Sequence, residues 1–195
     1  MKQASNARSI RCLGIVVIKN ITNLFLFFCF IATGLHGGIK EDVRKIIRTE
    51  YGKSIVFSMK KILLDKEVKA KIEQKVRQRF FKDFIYVWTI EIKKGEKVYG
   101  LLDNVKGKSM PITFLVIFDS KGNILNSNVI KYREPYGGEI SSPKWMNQFK
   151  GRNASSHFAV GNDIDGISGA TISVYSMATG VMKLSLLFPL IKPQL

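Results

Sequence analysis

Cysteine is absent from all but the first 38 residues, where Cys12 and Cys29 are the only two in the 195-residue chain. That absence excludes a disulfide scaffold, a cysteine-ligated zinc site, an iron–sulfur cluster and a cysteine nucleophile from the body of the protein. Histidine is as scarce. His36 and His157 stand alone, so no metal site is read from the sequence, and His157 reads as a surface or half-buried residue. Acidic residues are also few: 15 Asp and Glu face 31 Lys and Arg, a formal net charge of +16. The imbalance calls for an anionic partner, whether nucleic acid, an anionic membrane surface or an acidic protein, and its sign alone does not choose. Internal repeats and low-complexity tracts are missing too. The 46% of hydrophobic residues suffices for a core, and the length fits one ordinary domain with some extra chain.

The extra chain is at the amino end. A polar, basic leader, MKQASNARSIR, runs through CLGIVVIKN into ITNLFLFFCFIATGL. The apolar run from Ile21 to Leu35 is followed by small residues, the layout of a secretory signal. Its core of about 15 residues is short beside the roughly 20 that span a bilayer. Residues 1–38 are therefore expected to be a signal peptide or an amino-terminal membrane anchor. Either one places the remainder outside the cytoplasm, in the periplasm or on the extracytoplasmic face of the inner membrane, and argues against nucleic acid as the partner. The segment carries four cations and no acid, so the remainder keeps a charge of about +12.

Residues 39–96 read as an amino-terminal α/β portion. IKEDVRKIIRTEY, ended by Gly52, has Ile39, Val43, Ile46 and Ile47 on one helical face. SIVFSMKKILL reads as a strand, whole or in two pieces. In LDKEVKAKIEQKVRQRF, Leu64, Val68, Ile72, Val76 and Phe80 recur every four residues, which predicts an amphipathic helix. Residues 60–82 hold nine Lys or Arg and three Asp or Glu. This basic stripe is either a solvated face or a docking surface for anionic lipid or an acidic redox partner.

The period then changes from four to two. FIYVWTIEIKKGEKVYGLLDNV predicts a hairpin about Lys94-Gly95. PITFLVIF is a buried strand that returns as ILNSNVIKY after Ser120-Lys121-Gly122-Asn123. REPYGGEISSPKWMNQFKGRN reads as an ordered loop with a short helix around Trp145–Phe149. TISVYSMATGVMKLSLLF predicts a closing helix with Ile172, Tyr175, Val181 and Leu184 facing inward. The order of elements predicts an α+β fold, a curved antiparallel sheet with flanking helices, with residues 97–195 as its core domain.

Before the closing helix stands Asp165-Gly166-Ile167-Ser168-Gly169-Ala170-Thr171. A helix beginning near Thr171 would offer unpaired backbone N–H groups and the positive end of its dipole to an anion. Gly169 removes a Cβ that would keep a phosphate at a distance. The plainer alternative is a helix cap, supplied by Asp165 or Ser168.

The longer pattern resembles the flavinylation motif of the bacterial FMN-binding domain family, which includes the C and G subunits of the sodium-pumping NADH:quinone reductase and of the related ferredoxin-linked complex. GKSMPITFLVIFDSKGNI resembles that family's strand–turn–strand, Arg133-Glu134-Pro135-Tyr136-Gly137-Gly138 its Glu-Thr-Pro-Gly-x-Gly loop, and WMNQFKG its Trp/Phe-Gly segment, together over residues 97–187. The loop departs from the family in having Tyr136-Gly137-Gly138. The resemblance implies FMN carried covalently, as a phosphoester on Thr171, after attachment by a separate flavin transferase that uses FAD. It implies cofactor contacts from Asp165, Gly166, Ser168, Gly169, Ala170, Glu134, Gly138 and Trp145, with Asp165 as the recognition acid. No acid–base pair or nucleophile dyad stands out, so no catalytic residue is assigned. The expected role is an electron carrier or oxidoreductase subunit between a membrane redox complex and an acceptor. The competing expectation is a flavin-free module that binds membrane or polyanion through the basic helix.

Overall fold

The computed structural model describes residues 38–195. The expected signal or anchor, residues 1–38, lies outside the described residues except for Gly38. Helix α1 (Ile39–Tyr51) buries Val43 and Ile47 completely. Glu41 and Asp42 in its first turn and Arg48 in its last complement the helix dipole. Strand β1 (Val56–Leu63) is a single piece. Helix α2 (Lys66–Val76) starts where the Asp65 side chain accepts from the amides of Glu67 and Val68, at 2.9 and 3.0 Å. It ends at Arg77, which adopts a left-handed conformation, so the helix stops a turn earlier than its four-residue period predicts. Phe80 is buried all the same, because the chain folds back and its N–H donates to Glu73 at 2.7 Å.

Strands β2 (Phe84–Lys93), β3 (Glu96–Lys106), β4 (Pro111–Phe118) and β5 (Ile124–Lys131) follow as a meander. The sheet order is β1-β2-β3-β4-β5, every pair antiparallel. Side chains alternate between two faces. Val87, Leu101, Val105, Phe114 and Val116 pack under α2 and the closing helix. Trp88, Ile90, Leu102, Leu115 and Ile117 pack under α1. Burial of β4 on both faces explains its unbroken apolar run. Segments 39–96 and 97–195 share this sheet through the β2–β3 pairing, and residues 39–195 form one compact unit.

After a loop with a short helix, α3 (Pro143–Met146), the chain closes with α4 (Thr171–Ile191). Its inward stripe is Val174, Met177, Ala178, Val181, Leu184 and Phe188. Val181 and Leu184 face inward as the pattern predicts, but Ile172 and Tyr175 do not: they are 51% and 54% exposed. At 100° per residue both fall well away from the stripe that Val174 begins. With its last turn, α4 is long and apolar enough to cross a membrane, yet 61% of its apolar window is buried within the protein. Here it is the central core helix. It approaches the sheet so closely at Gly180 that a Cβ there would collide with Val105 and Phe114.

One ion pair lies inside this packing. Lys183 of α4 is fully buried and reaches Asp103 of β3 at 2.9 Å, donates to the carbonyl of Arg79 at 3.0 Å and sits over the Phe80 ring. Burial pushes the Asp103 carboxyl up, and the Lys183 ammonium opposes that shift. Removing one partner leaves an uncompensated buried charge. Lys183→Met is expected to cost about 3–5 kcal/mol in urea unfolding at neutral pH, and adding Asp103→Leu to restore most of it. A cost below about 1 kcal/mol for the single variant would contradict the pairing.

Candidate functional site

Glu134, three residues beyond β5, gathers three parts of the chain. Its Oε1 accepts from the amides of Ser109 (2.6 Å) and Met110 (3.2 Å) in the β3–β4 turn. Its Oε2 accepts from the hydroxyl of Ser173 in α4 (3.0 Å) and, at 3.4 Å, from that of Tyr132. Gly107 leaves room for this carboxylate, since a Cβ there would stand 2.7 Å from Glu134 Oε1. Partial burial pushes the Glu134 carboxyl up, but the two amides and then the two hydroxyls favour the anion more. The net effect holds it below its ordinary value. No cation pairs with it among the described residues.

The same three segments enclose a cleft of about 610 Å³, lined by Lys108, Ser109, Glu134 to Gly137, Glu139 and Ser168 to Ser173. That volume falls in the ordinary range for ligand sites, about 300–1,000 Å³. Gly137 closes one side. It has φ of 79°, and a Cβ on it would meet the Ala170 methyl at 2.7 Å and the Tyr132 hydroxyl at 2.9 Å. The Tyr132 hydroxyl has one proton, and its nearer acceptor is the carbonyl of Tyr136, which ties the loop down and leaves Glu134 the longer, weaker contact.

On the other side the chain turns at Gly169, φ 76°, with the Ala170 amide bonded to the Ile167 carbonyl at 3.1 Å. The first helical bond of α4 runs from the Val174 amide to the Ala170 carbonyl. The amides of Thr171, Ile172 and Ser173 therefore have no acceptor within the helix. No side chain caps them, so neither Asp165 nor Ser168 acts as the simple cap. Thr171 is exposed at this first position. Its hydroxyl, three open amides and the positive helix end share one cleft, an arrangement that suits a phosphate ester.

Five of the predicted residues line the cleft together: Thr171, Ala170, Gly169, Ser168 and Glu134. Asp165 and Gly166 lie outside it and are exposed. The backbone of Asp165 is clamped on both sides, its amide donating to Gln148 at 2.7 Å and its carbonyl accepting from the Trp145 indole at 2.9 Å. Trp145 is buried, edge-on to Phe149, and supports the motif from behind without lining the cleft. Gly138 begins a 3-10 turn in open space, while its neighbour Gly137 makes the close approach. Sequence reasoning missed Gly107, Ser109, Tyr132, Gly137 and Ser173. The Gly137-Gly138 pair was the one available signal among them.

Residues 107–184 match the family model described as the FMN-binding domain, and they span the β3–β4 turn, Glu134 and Thr171. Among solved structures, one subunit of the Na(+)-translocating NADH-quinone reductase from Parabacteroides distasonis is similar at 20% identity. The match covers 72% of this chain and 83% of that one, with a TM-score of 0.45. No curated protein matches the chain.

The depressed Glu134 value has a definite consequence. Its contribution to holding the cleft is full above the ordinary glutamate value near 4.5 and is lost as pH falls through the lower folded value. The Ser109 and Met110 amides are expected to lose exchange protection over that acidic window in the native protein. In Glu134→Ala they should be unprotected at every pH. Protection independent of both pH and Glu134 would refute the role of the carboxylate.

Proposed function

We propose, from the premise that residues 107–184 match the FMN-binding domain, that this domain carries its flavin covalently as a phosphoester on Thr171 and serves as an electron carrier. The observation that carries the reading is the exposed Thr171 hydroxyl at the uncapped start of α4, inside the cleft and within the Asp-Gly-Ile-Ser-Gly-Ala-Thr motif.

The residues present fit the group. Small side chains at Ser168, Gly169 and Ala170 let a phosphate approach the open amides, and the dipole of α4 favours its charge. Lys108 adds a cation to the lining. Tyr136, 82% exposed, and Ile172 offer apolar surface at the rim for a flat ring system. Bound FMN supplies one- and two-electron chemistry, and the protein orients it and tunes its surroundings.

Attachment belongs to a second protein, a flavin transferase that uses FAD. The Thr171 oxygen displaces AMP from the flavin-bearing phosphorus, and the hydroxyl proton passes to the transferase. No base within the described residues hydrogen-bonds the Thr171 hydroxyl, which supports assigning that proton transfer to the partner. The Asp165 carboxylate is exposed and makes no hydrogen bond among the described residues, while the residue's backbone is held by Gln148 and Trp145, which supports a role as recognition acid for that enzyme. The family resemblance of the motif set supports a membrane redox complex as electron donor or acceptor. The leader-like first 38 residues support an extracytoplasmic position, where a tethered flavin is not lost by dissociation.

Co-expressed with a flavin transferase, the native chain is expected to keep flavin fluorescence through denaturing electrophoresis. Thr171→Ser should keep it and Thr171→Ala lose it, with an unchanged unfolding midpoint. Asp165→Ala is expected to slow attachment by at least about tenfold without altering the fold. Denaturation-resistant flavin on Thr171→Ala would overturn the assignment.

A further inference from the structure

The α1 face of the sheet is covered unevenly. Helix α1 shelters Trp88, Ile90, Leu102 and Leu115, but at the corner where β1 ends and β2 begins Tyr86 and Phe84 are only half-buried. Leu63 there is 72% exposed and pairs across the strands with Phe84, while Lys61 pairs with Tyr86. Phe84 and Tyr86 meet edge to face at 5.3 Å. Three ammonium groups surround these two rings: Lys61 and Lys82 over Phe84, at 4.1 and 5.1 Å, and Lys40 over Tyr86, at 4.4 Å. None of the three lysines has a carboxylate within ion-pair distance among the described residues. The nearby acids are engaged elsewhere: Glu41 with Arg44, Asp42 with Lys131 and Asp83 with Lys69. The corner is thus an apolar and aromatic centre ringed by uncommitted cations.

We infer that this corner is a docking surface for an anionic phospholipid bilayer. Two observations select that occupant. Apolar rings with long cationic side chains around them match the bilayer interface, where rings enter the headgroup layer and ammonium groups remain at the phosphates. The corner also adjoins the start of α1, and only His36, Gly37 and Gly38 separate that start from the end of the apolar run at Leu35. With the first 38 residues retained as the anchor, one of the two expectations for them, a membrane holding that run lies within a few residues' reach of Lys40.

The register carries a consequence. Leu63, Phe84, Lys106, Pro111 and Lys131 all lie at the same end of the sheet. The β3–β4 turn and the Glu134 segment that line the Thr171 cleft continue from that end. Docking there turns the end with the cleft toward the bilayer, within reach of a membrane-embedded electron partner. The docking surface itself does not depend on the flavin reading.

The test uses the full chain with Cys12→Ser and Cys29→Ser, labelled with a fluorophore through Leu63→Cys and, as control, through Lys94→Cys at the opposite end of β2. It is reconstituted into vesicles carrying a headgroup nitroxide quencher, in phosphatidylcholine alone or with about 30% phosphatidylglycerol. The label at 63 is expected to be quenched severalfold more in the anionic vesicles, with the label at 94 unaffected. About 0.5 M salt should remove the difference in the unmutated patch, as should the combined Lys40→Glu, Lys61→Glu and Lys82→Glu substitutions. Flavin content measured on the same samples reports separately on Thr171. Equal quenching in both lipids, no quenching in either, or shielding of position 63 in detergent without lipid would each overturn the inference. The last outcome would assign the corner to another protein chain.

Discussion

Glu134 accepts hydrogen bonds from the β3–β4 turn, from the end of its own segment and from the first turn of α4, and so joins the three segments that line the cleft. An anion suits this duty because every group presented to it is a donor, and several donors on one carboxylate favour its charged form. The clamp fixes the start of α4, whose later turns are already immobilised by Gly180 against the sheet and by the Lys183–Asp103 pair. What remains free at the helix start is its row of open amides and one exposed hydroxyl. The rigid helix and the open terminus are two ends of one construction.

The elements with strong periodicity were legible in the sequence. Alternating strands, the hairpin turns at Lys94-Gly95 and about Gly122, and the helices begun at Ile39 and Asp65 follow from local pattern, and five strands in simple antiparallel order need no crossover to be guessed. The phase of α4 was not legible. Its first turns mix small, polar and apolar side chains on both faces, so Ile172 and Tyr175 look as apt for the core as Val174 and Met177. Only the position of the sheet decides between them. The end of α2 was also misread, because Phe80 continues a four-residue period that the chain achieves by turning back, not by remaining helical.

The site was legible where chemistry demands a rare combination of neighbours in sequence. Ser168 to Thr171 lie together because they are consecutive, and Glu134 was marked by its loop. Residues that build the cleft by contact across the fold gave no such sign. Ser109 contributes a backbone amide, which any residue but proline offers, and Ser173 is one hydroxyl among many. Gly137 and Gly138 are indistinguishable as letters, and only the approach of Ala170 identifies which one must lack a side chain. Trp145 is conspicuous in sequence but acts through its indole N–H on the backbone of Asp165, at one remove from the cleft.

The central claim is a covalent bond at Thr171, and intact mass measures it most directly. The chain should be exported in a cell with an active flavin transferase, then weighed whole and as peptides. The account predicts a gain of about 440 Da, one FMN less water, confined to the peptide containing Thr171. An unmodified mass beside a control substrate that the same transferase does modify, or the same gain on another residue, would contradict it.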